Sequence, residues 1–214
     1  MATNMFETMK KVPPSEKMTF EEFLDWCDED IIAEWVDGEV IAASPAEVQH
    51  QQIAKLLLSV LHIYIEEHPV GAILHAPFLM RLSEIARARE PDLLFISNER
   101  SHLLRPTYLD GAADLAVEIV SPESTIRDHR DKLDEYERGR VKEYWLIDPD
   151  QKQAEFYELG TDGRYRSGEI DGDGIYRSKV IPGFWLKVSW LWRAPLPTAI
   201  EVLRELKIVV TVES

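Results

Sequence analysis

Hydrophobic patterning along the chain predicts an α/β (α+β) fold: a mixed sheet flanked by helices, with extra antiparallel strands. Two observations carry this. Between 45 and 67, Val48, Ile53, Leu56, Leu57, Val60, Leu61, Tyr64 and Ile65 recur at helical spacing, which marks a long amphipathic helix. The segments 91–97, 113–120 and 143–147 are short apolar runs of strand length, and a charged helical pattern over 125–138 separates the last two.

The elements follow in order. Residues 1–18 read as a disordered N-terminus. Thr19-Phe-Glu-Glu22 has the form of a capping box and opens a short helix to about Asp28. Residues 31–43 read as a hairpin turning at Asp37-Gly38, a strong two-residue turn signal. The long helix stops at His68-Pro69, because a residue before proline is pushed away from helical angles. Residues 71–82, 91–97 and 113–120 then read as strands. The helix over 125–138 closes at Gly139. Strands over 143–147 and 154–159 read as a pair. The turn-rich, aromatic stretch 160–192 predicts further antiparallel strands rather than a second domain. A short helix over 197–206 ends the pattern. The organisation is a domain over 19–192 followed by a C-terminal helix and tail over 193–214.

Composition narrows the function. The 214 residues suit one domain, and 45% hydrophobic content supplies a substantial core. One cysteine, Cys27, excludes an internal disulfide and a cysteine-built zinc site, and fits a reducing interior. No apolar run reaches bilayer-spanning length, so a soluble, cytoplasmic protein is expected. The net charge of −15 argues against loose binding to nucleic acid, whose affinity comes mainly from phosphate contacts. It does not exclude a nuclease, whose metal site is itself acidic. Basic residues remain near the candidate site in sequence: Arg81, Arg87, Arg89, Arg127, Arg130, Lys132, Arg138, Arg140 and Lys142.

The chemistry sits in Pro91-Asp92 and in Asp114-Leu-Ala-Val-Glu118. Strand alternation puts Asp114, Ala116, Glu118 and Val120 on one face and Leu115, Val117 and Ile119 on the other. Asp92 opens a separate apolar strand. An ionised carboxylate on a buried strand is costly unless something pairs with it. A divalent cation is one such partner, and all-carboxylate sites suit Mg²⁺ or Mn²⁺. On the following helix, Asp128, Lys132 and Tyr136 share a face at intervals of four. From there Lys132 can reach the acids, orient a water and stabilise charge on a phosphate.

The arrangement resembles the PD-(D/E)XK nuclease superfamily and, more closely, the Uma-two family of restriction-endonuclease-like proteins. The resemblance covers about 19–192. It rests on Glu34-Trp-Val-Asp-Gly-Glu39, Ser44-Pro45 with His50 following, Glu90-Pro91-Asp92, Val117-Glu118-Ile-Val-Ser-Pro122, Lys132 with Tyr136, and Glu143-Tyr-Trp-Leu-Ile-Asp-Pro149. It implies a restriction-endonuclease-like mixed sheet and Mg²⁺- or Mn²⁺-dependent cleavage of phosphodiester bonds, with DNA the expected partner. By that match Asp92 and Glu118 are metal ligands. Val120 stands where the motif's lysine is expected, and the resembling family moves that lysine to the following helix, at Lys132. An early glutamate often completes such sites. Glu39 joins the catalytic set on this basis, and the sequence does not choose between it and Glu34.

Other readings stand beside this one. Asp114 suits the solvated end of its strand, Tyr136 a core aromatic, and His50 a structural or substrate-side histidine. Trp185, Trp190 and Trp192 fit packing better than base stacking. A binding module without catalysis on the same fold is the first alternative function. A two-carboxylate glycosidase is the second. A two-fold dimer is also expected, because one small domain does not readily cut both strands of a duplex.

Overall fold

The computed structural model describes residues 16–27, 32–42, 46–121 and 126–208, without the side chains of 126–129. Most of the N-terminus, the helix end at Asp28, Ser44-Pro45, Pro122, the start of the second long helix and the final tail lie outside the described residues.

Helix α1 (Phe20–Trp26) starts on a complete capping box: Thr19 Oγ1 accepts from the Glu22 amide at 3.2 Å, and Glu22 accepts from the Thr19 amide at 2.8 Å. Strands β1 (Ala33–Val36) and β2 (Glu39–Ala42) form the expected hairpin. Asp37 and Gly38 both take positive φ, as a tight two-residue hairpin turn requires. Helix α2 (Val48–Glu67) buries His50, Ile53, Leu56, Leu57, Val60, Leu61, Tyr64 and Ile65.

The stretch 71–82 departs from the expected single strand. It forms β3 (Gly71–His75) and β4 (Leu79–Leu82), and the two belong to different sheets. Pro77 lies at the break; it has no N–H to give to a ladder. Strands β5 (Arg87–Arg89), β6 (Leu93–Ser97), β7 (Tyr108–Asp110) and β8 (Leu115–Ile119) follow. At three residues each, β5 and β7 are too short to show a period in sequence. Helix α3 (Ile126–Arg138) leads to β9 (Glu143–Asp148) and β10 (Gln153–Leu159), which pair antiparallel as expected. The remainder is β11 (Tyr165–Ser167), β12 (Ile175–Arg177), β13 (Trp185–Lys187), a 3-10 turn over Val188–Trp192, and α4 (Ala199–Glu205). Thr198 caps α4 with a second capping box. No helix among the described residues is long and apolar enough to cross a membrane.

A six-stranded sheet runs β11-β10-β9-β8-β6-β3, and a five-stranded sheet runs β2-β1-β5-β4-β7. Within the first, β8 pairs antiparallel with β6 and parallel with β9, so the sheet is mixed. One of its faces carries Leu93, Phe95, Leu115, Val117, Trp145 and Ile147, packed against α2 and α4. The other carries Leu94, Ile96, Ala116 and Tyr144, packed against Met80, Leu82 and Leu109 of the smaller sheet and Tyr136 of α3. Helices therefore lie on both sides, and α3 sits on the face that Ala116 and Glu118 share. The aromatic stretch near the C-terminus goes into the first of these cores: Tyr176, Phe184, Leu186 and Trp190 are buried there.

Gly71 begins β3 directly against β6. A Cβ there would lie 2.2 Å from the Ile96 carbonyl oxygen and 2.5 Å from the Phe95 ring. Backbone cannot yield to so close an approach without moving β3. G71A should therefore cost about 1–3 kcal/mol, as overpacking does. Urea unfolding would show this as a lower midpoint with an unchanged slope.

Candidate active site

The pairing Leu93↔Val117 between β6 and β8 continues by one residue to bring Asp92 opposite Glu118. Asp92 lies just before β6 and accepts a hydrogen bond from the Ile119 amide at 2.7 Å through Oδ2. Its Oδ1 is 3.1 Å from His50 Nε2, on the first turn of α2. Burial alone would disfavour a charge on His50, but the bond to Asp92 and the charges of Asp92 and Glu118 together outweigh it and raise the ring above its usual value.

Glu118 meets α3. Lys132 Nζ lies 3.0 Å from each carboxylate oxygen, and the Tyr136 hydroxyl donates to Oε1 at 2.6 Å. Lys132 and Tyr136 are four residues apart, so one helical face delivers both. Burial raises the Glu118 pKa above the ordinary carboxylate range; Asp92 and Glu34 add to the rise while Lys132 opposes it. Burial works against the Lys132 charge, but Glu118 and Glu34 prevail and the ammonium is held more firmly charged than usual.

A third acid enters from the smaller sheet. Glu34 Oε1 lies 3.2 Å from Lys132 Nζ and accepts from the Glu90 amide, also at 3.2 Å. Its Oε2 accepts from Arg89 at 2.6 Å. Burial would raise Glu34, yet Lys132, Arg89 and the Glu90 amide bring it below the normal value. Arg89 in turn donates to Glu135 of α3 at 2.7 Å, and Arg87 donates to the other oxygen of Glu135 at 2.5 Å. Glu90 has a buried oxygen, Oε2, with no hydrogen-bond partner among the described residues. Burial, reinforced by Glu34, pushes the Glu90 carboxyl up to about 7.

The Uma2 family, described as "Putative restriction endonuclease", matches residues 20–189. The chain belongs to that family. Among solved structures, this Uma2 chain is similar to "a putative nuclease belonging to DUF820" from Anabaena variabilis, at 17% identity and a TM-score of 0.69, covering 82% of this chain and 97% of that one. At that identity the likeness shows a shared fold. No curated protein matches the chain.

Against this geometry the sequence expectations separate. Asp92, Glu118 and Lys132 come together in the Uma2 chain as neighbours. Of the two early glutamates, Glu34 reaches the cluster. Glu39 does not: its side chain is 68% exposed and pairs with Lys17 at 3.5 Å. The reason is sheet order. Glu34 sits on β1, which adjoins β5 and its Arg89, whereas Glu39 begins the edge strand β2, one strand further out. Asp114 also lies elsewhere. Its side chain, 2% exposed, accepts from the Ser97 amide at 2.8 Å and from Arg100 at 2.9 Å, and pairs with Lys142 at 2.6 Å. It ties β8 to the far end of β6. Asp128, expected on the Lys132 face, has no described side chain.

Three residues of the cluster were not singled out from sequence as site groups: Arg89, Glu135 and Glu90. A faint signal existed. Arg87 and Arg89 alternate on one side of a very short strand, matching an acid one residue before Tyr136. Likewise His50 falls in register with Ile53, Leu57, Leu61 and Tyr64 on the buried stripe of α2.

Asp114 supports a stability prediction. Burial alone would raise its pKa, but Lys142, the Ser97 amide and Arg100 hold it below the usual carboxylate value. A depressed folded pKa gives stability that is fully present above the unfolded value of about 3.9 and lost as pH falls through the folded one. D114N should cost about 1–3 kcal/mol at pH 7. Urea titrations at descending pH should show the gap between parent and variant closing below about pH 4. A gap independent of pH would contradict the ionic account.

Proposed function

We propose that this Uma2 protein is a metal-dependent endonuclease that hydrolyses phosphodiester bonds in DNA, with Mg²⁺ or Mn²⁺ as cofactor. The observation that carries the reading is the juxtaposition of Asp92 and Glu118 on neighbouring strands with the Lys132 ammonium against Glu118. Family membership supports a nuclease.

The residues present fit a hard divalent cation. Their donors are carboxylate oxygens, and the buried Glu90 Oε2 beside them lacks a partner among the described residues. Among the described residues no three His, Cys, Asp or Glu side chains are grouped to hold a metal by themselves. Mg²⁺ is commonly held by one or two carboxylates and completes its shell with water and substrate phosphate. Asp92 and Glu118 would hold it. Such an ion supplies Lewis acidity and a lowered water pKa.

The chain's own groups do the rest. Lys132, fixed by Glu34 and Glu118, stays cationic, so its role is electrostatic rather than that of a base. It orients the attacking water and stabilises the charge that develops on the phosphate. Tyr136 fixes the Glu118 carboxylate from below. Water oxygen bonds to phosphorus and gives up its proton to bulk water, the bond to the 3′ oxygen breaks, and that oxygen takes up a proton from bulk water.

Two observations favour a second reading, a catalytically silent nucleic-acid or protein binding module. Glu118 is already satisfied by Lys132 and Tyr136, and Val120 stands where the motif's lysine is expected. Cleavage assays decide. The purified protein should nick or cut DNA with Mg²⁺ or Mn²⁺ and stop with a chelator. Ca²⁺ should support binding better than turnover, because it coordinates loosely. D92A and E118A should abolish cleavage. K132A should slow it about 10²–10³-fold while sparing metal binding, as loss of a preorganised charge does. Acid variants that cut as well as the parent would overturn the nuclease reading in favour of the module.

We also propose a two-fold dimer, since two sites are needed to cut both strands and closed two-fold symmetry is the commonest oligomer. Light scattering at micromolar concentration should give twice the chain mass; a monomer would remove the claim.

A further inference from the structure

We propose that His50 is a positioning residue for the metal site, acting through Asp92; the inference rests on the nuclease reading above. The histidine side chain is only 9% exposed and sits in the first turn of a helix whose buried stripe is otherwise filled by Ile53, Leu57, Leu61 and Tyr64. An imidazole in such a place is costly unless it makes a specific bond. Its Nδ1 has no hydrogen-bond partner among the described residues. The polar contact the ring does make is Nε2 to Asp92 Oδ1 at 3.1 Å.

That contact complements a backbone one. The Ile119 amide donates to the other oxygen, Oδ2, at 2.7 Å. Nε2–H donates in the neutral ring with that tautomer and in the imidazolium alike, so the arrangement does not depend on the charge of the ring. Each carboxylate oxygen thus receives one donor and keeps lone-pair capacity for a cation. Rotation of the carboxylate is blocked from both sides. Hydrogen bonds made to a ligand from outside its metal set its orientation, and losing one typically costs 10–100-fold in metal affinity. Helix α2 in this way joins the adjoining ends of β6 and β8 to the site, from the side opposite α3.

The test is Mn²⁺ affinity of the full chain, followed by electron paramagnetic resonance of free Mn²⁺, with cleavage measured in parallel. H50F removes the donor and keeps a ring in the apolar stripe. It should weaken Mn²⁺ binding about 10–100-fold. H50Q, whose amide nitrogen reaches about as far as Nε2, should restore most of the affinity. H50N, whose amide sits nearer the helix, should not. If H50F fails to fold, the contrast between H50Q and H50N carries the result. Parent-like Mn²⁺ affinity in H50F or H50N, with D92A impaired, would overturn the role of His50 and leave the nuclease reading intact. A parent protein that binds Mn²⁺ no better than D92A would overturn both.

Discussion

A carboxylate in mid-strand, on a sheet face covered by a helix, cannot be left without donors or cations. Much of the site follows from how Glu118 meets that condition. Lys132 and Tyr136 answer it directly from α3. Burying Lys132 then creates a second demand, met by Glu34 from the other sheet. Glu34 needs Arg89, Arg89 needs Glu135, and Glu135 needs Arg87, which ends on Asp37 at the surface. Charges alternate in sign along the whole run. Removing one member of a buried pair strands its partner, a penalty of about 3–5 kcal/mol. The network is therefore closer to all-or-none than to a sum of pairs, and it sets where α3 lies between the two sheets.

The same network leaves a surplus of negative charge near Glu118. Asp92, Glu118, Glu34 and Glu90 face Lys132, Arg89 and His50. The surplus falls on Glu90, which has one buried oxygen without a partner among the described residues and a carboxyl raised to about 7. A structural ion-pair network has no need of an extra acid. On the proposed nuclease reading it would balance the charge of the cation once that arrives. The local cluster of acids and the net charge of −15 are thus compatible with the proposed nuclease chemistry in one specific sense. On the proposed nuclease reading, binding would run through a metal and a few fixed cations rather than through a broad basic surface.

Asp92 is handled differently from Glu118. Its two donors, the Ile119 amide and His50, come from the end of β8 and from α2 rather than from a lysine. One acid is thus fixed by an ion pair and the other by hydrogen bonds. The two helices on opposite sides of the six-stranded sheet each hold one member of the pair.

The amino-acid sequence by itself determined what depends on local pattern. The two-residue turn at Asp37-Gly38, the capping box at Thr19 and the long stripe of α2 follow from backbone and side-chain preferences within a few residues. That Glu118 faces away from Val117 and Ile119 follows from strand alternation, and that Lys132 and Tyr136 share a face follows from helical repeat. Only the tertiary structure decided what depends on which strands become neighbours. It split 71–82 between two sheets, because a proline withholds its N–H from the ladder and nothing nearby in sequence says where the chain resumes. It brought in Glu34 and left Glu39 outside, although both lie on one hairpin, because β1 and not β2 borders Arg89. It sent Asp114 to Arg100 and Lys142, although alternation puts it on the face of Glu118. Alternation fixes the side of a sheet that a residue faces, but a charge settles wherever an opposite charge waits on that side, and that is a property of the assembled fold.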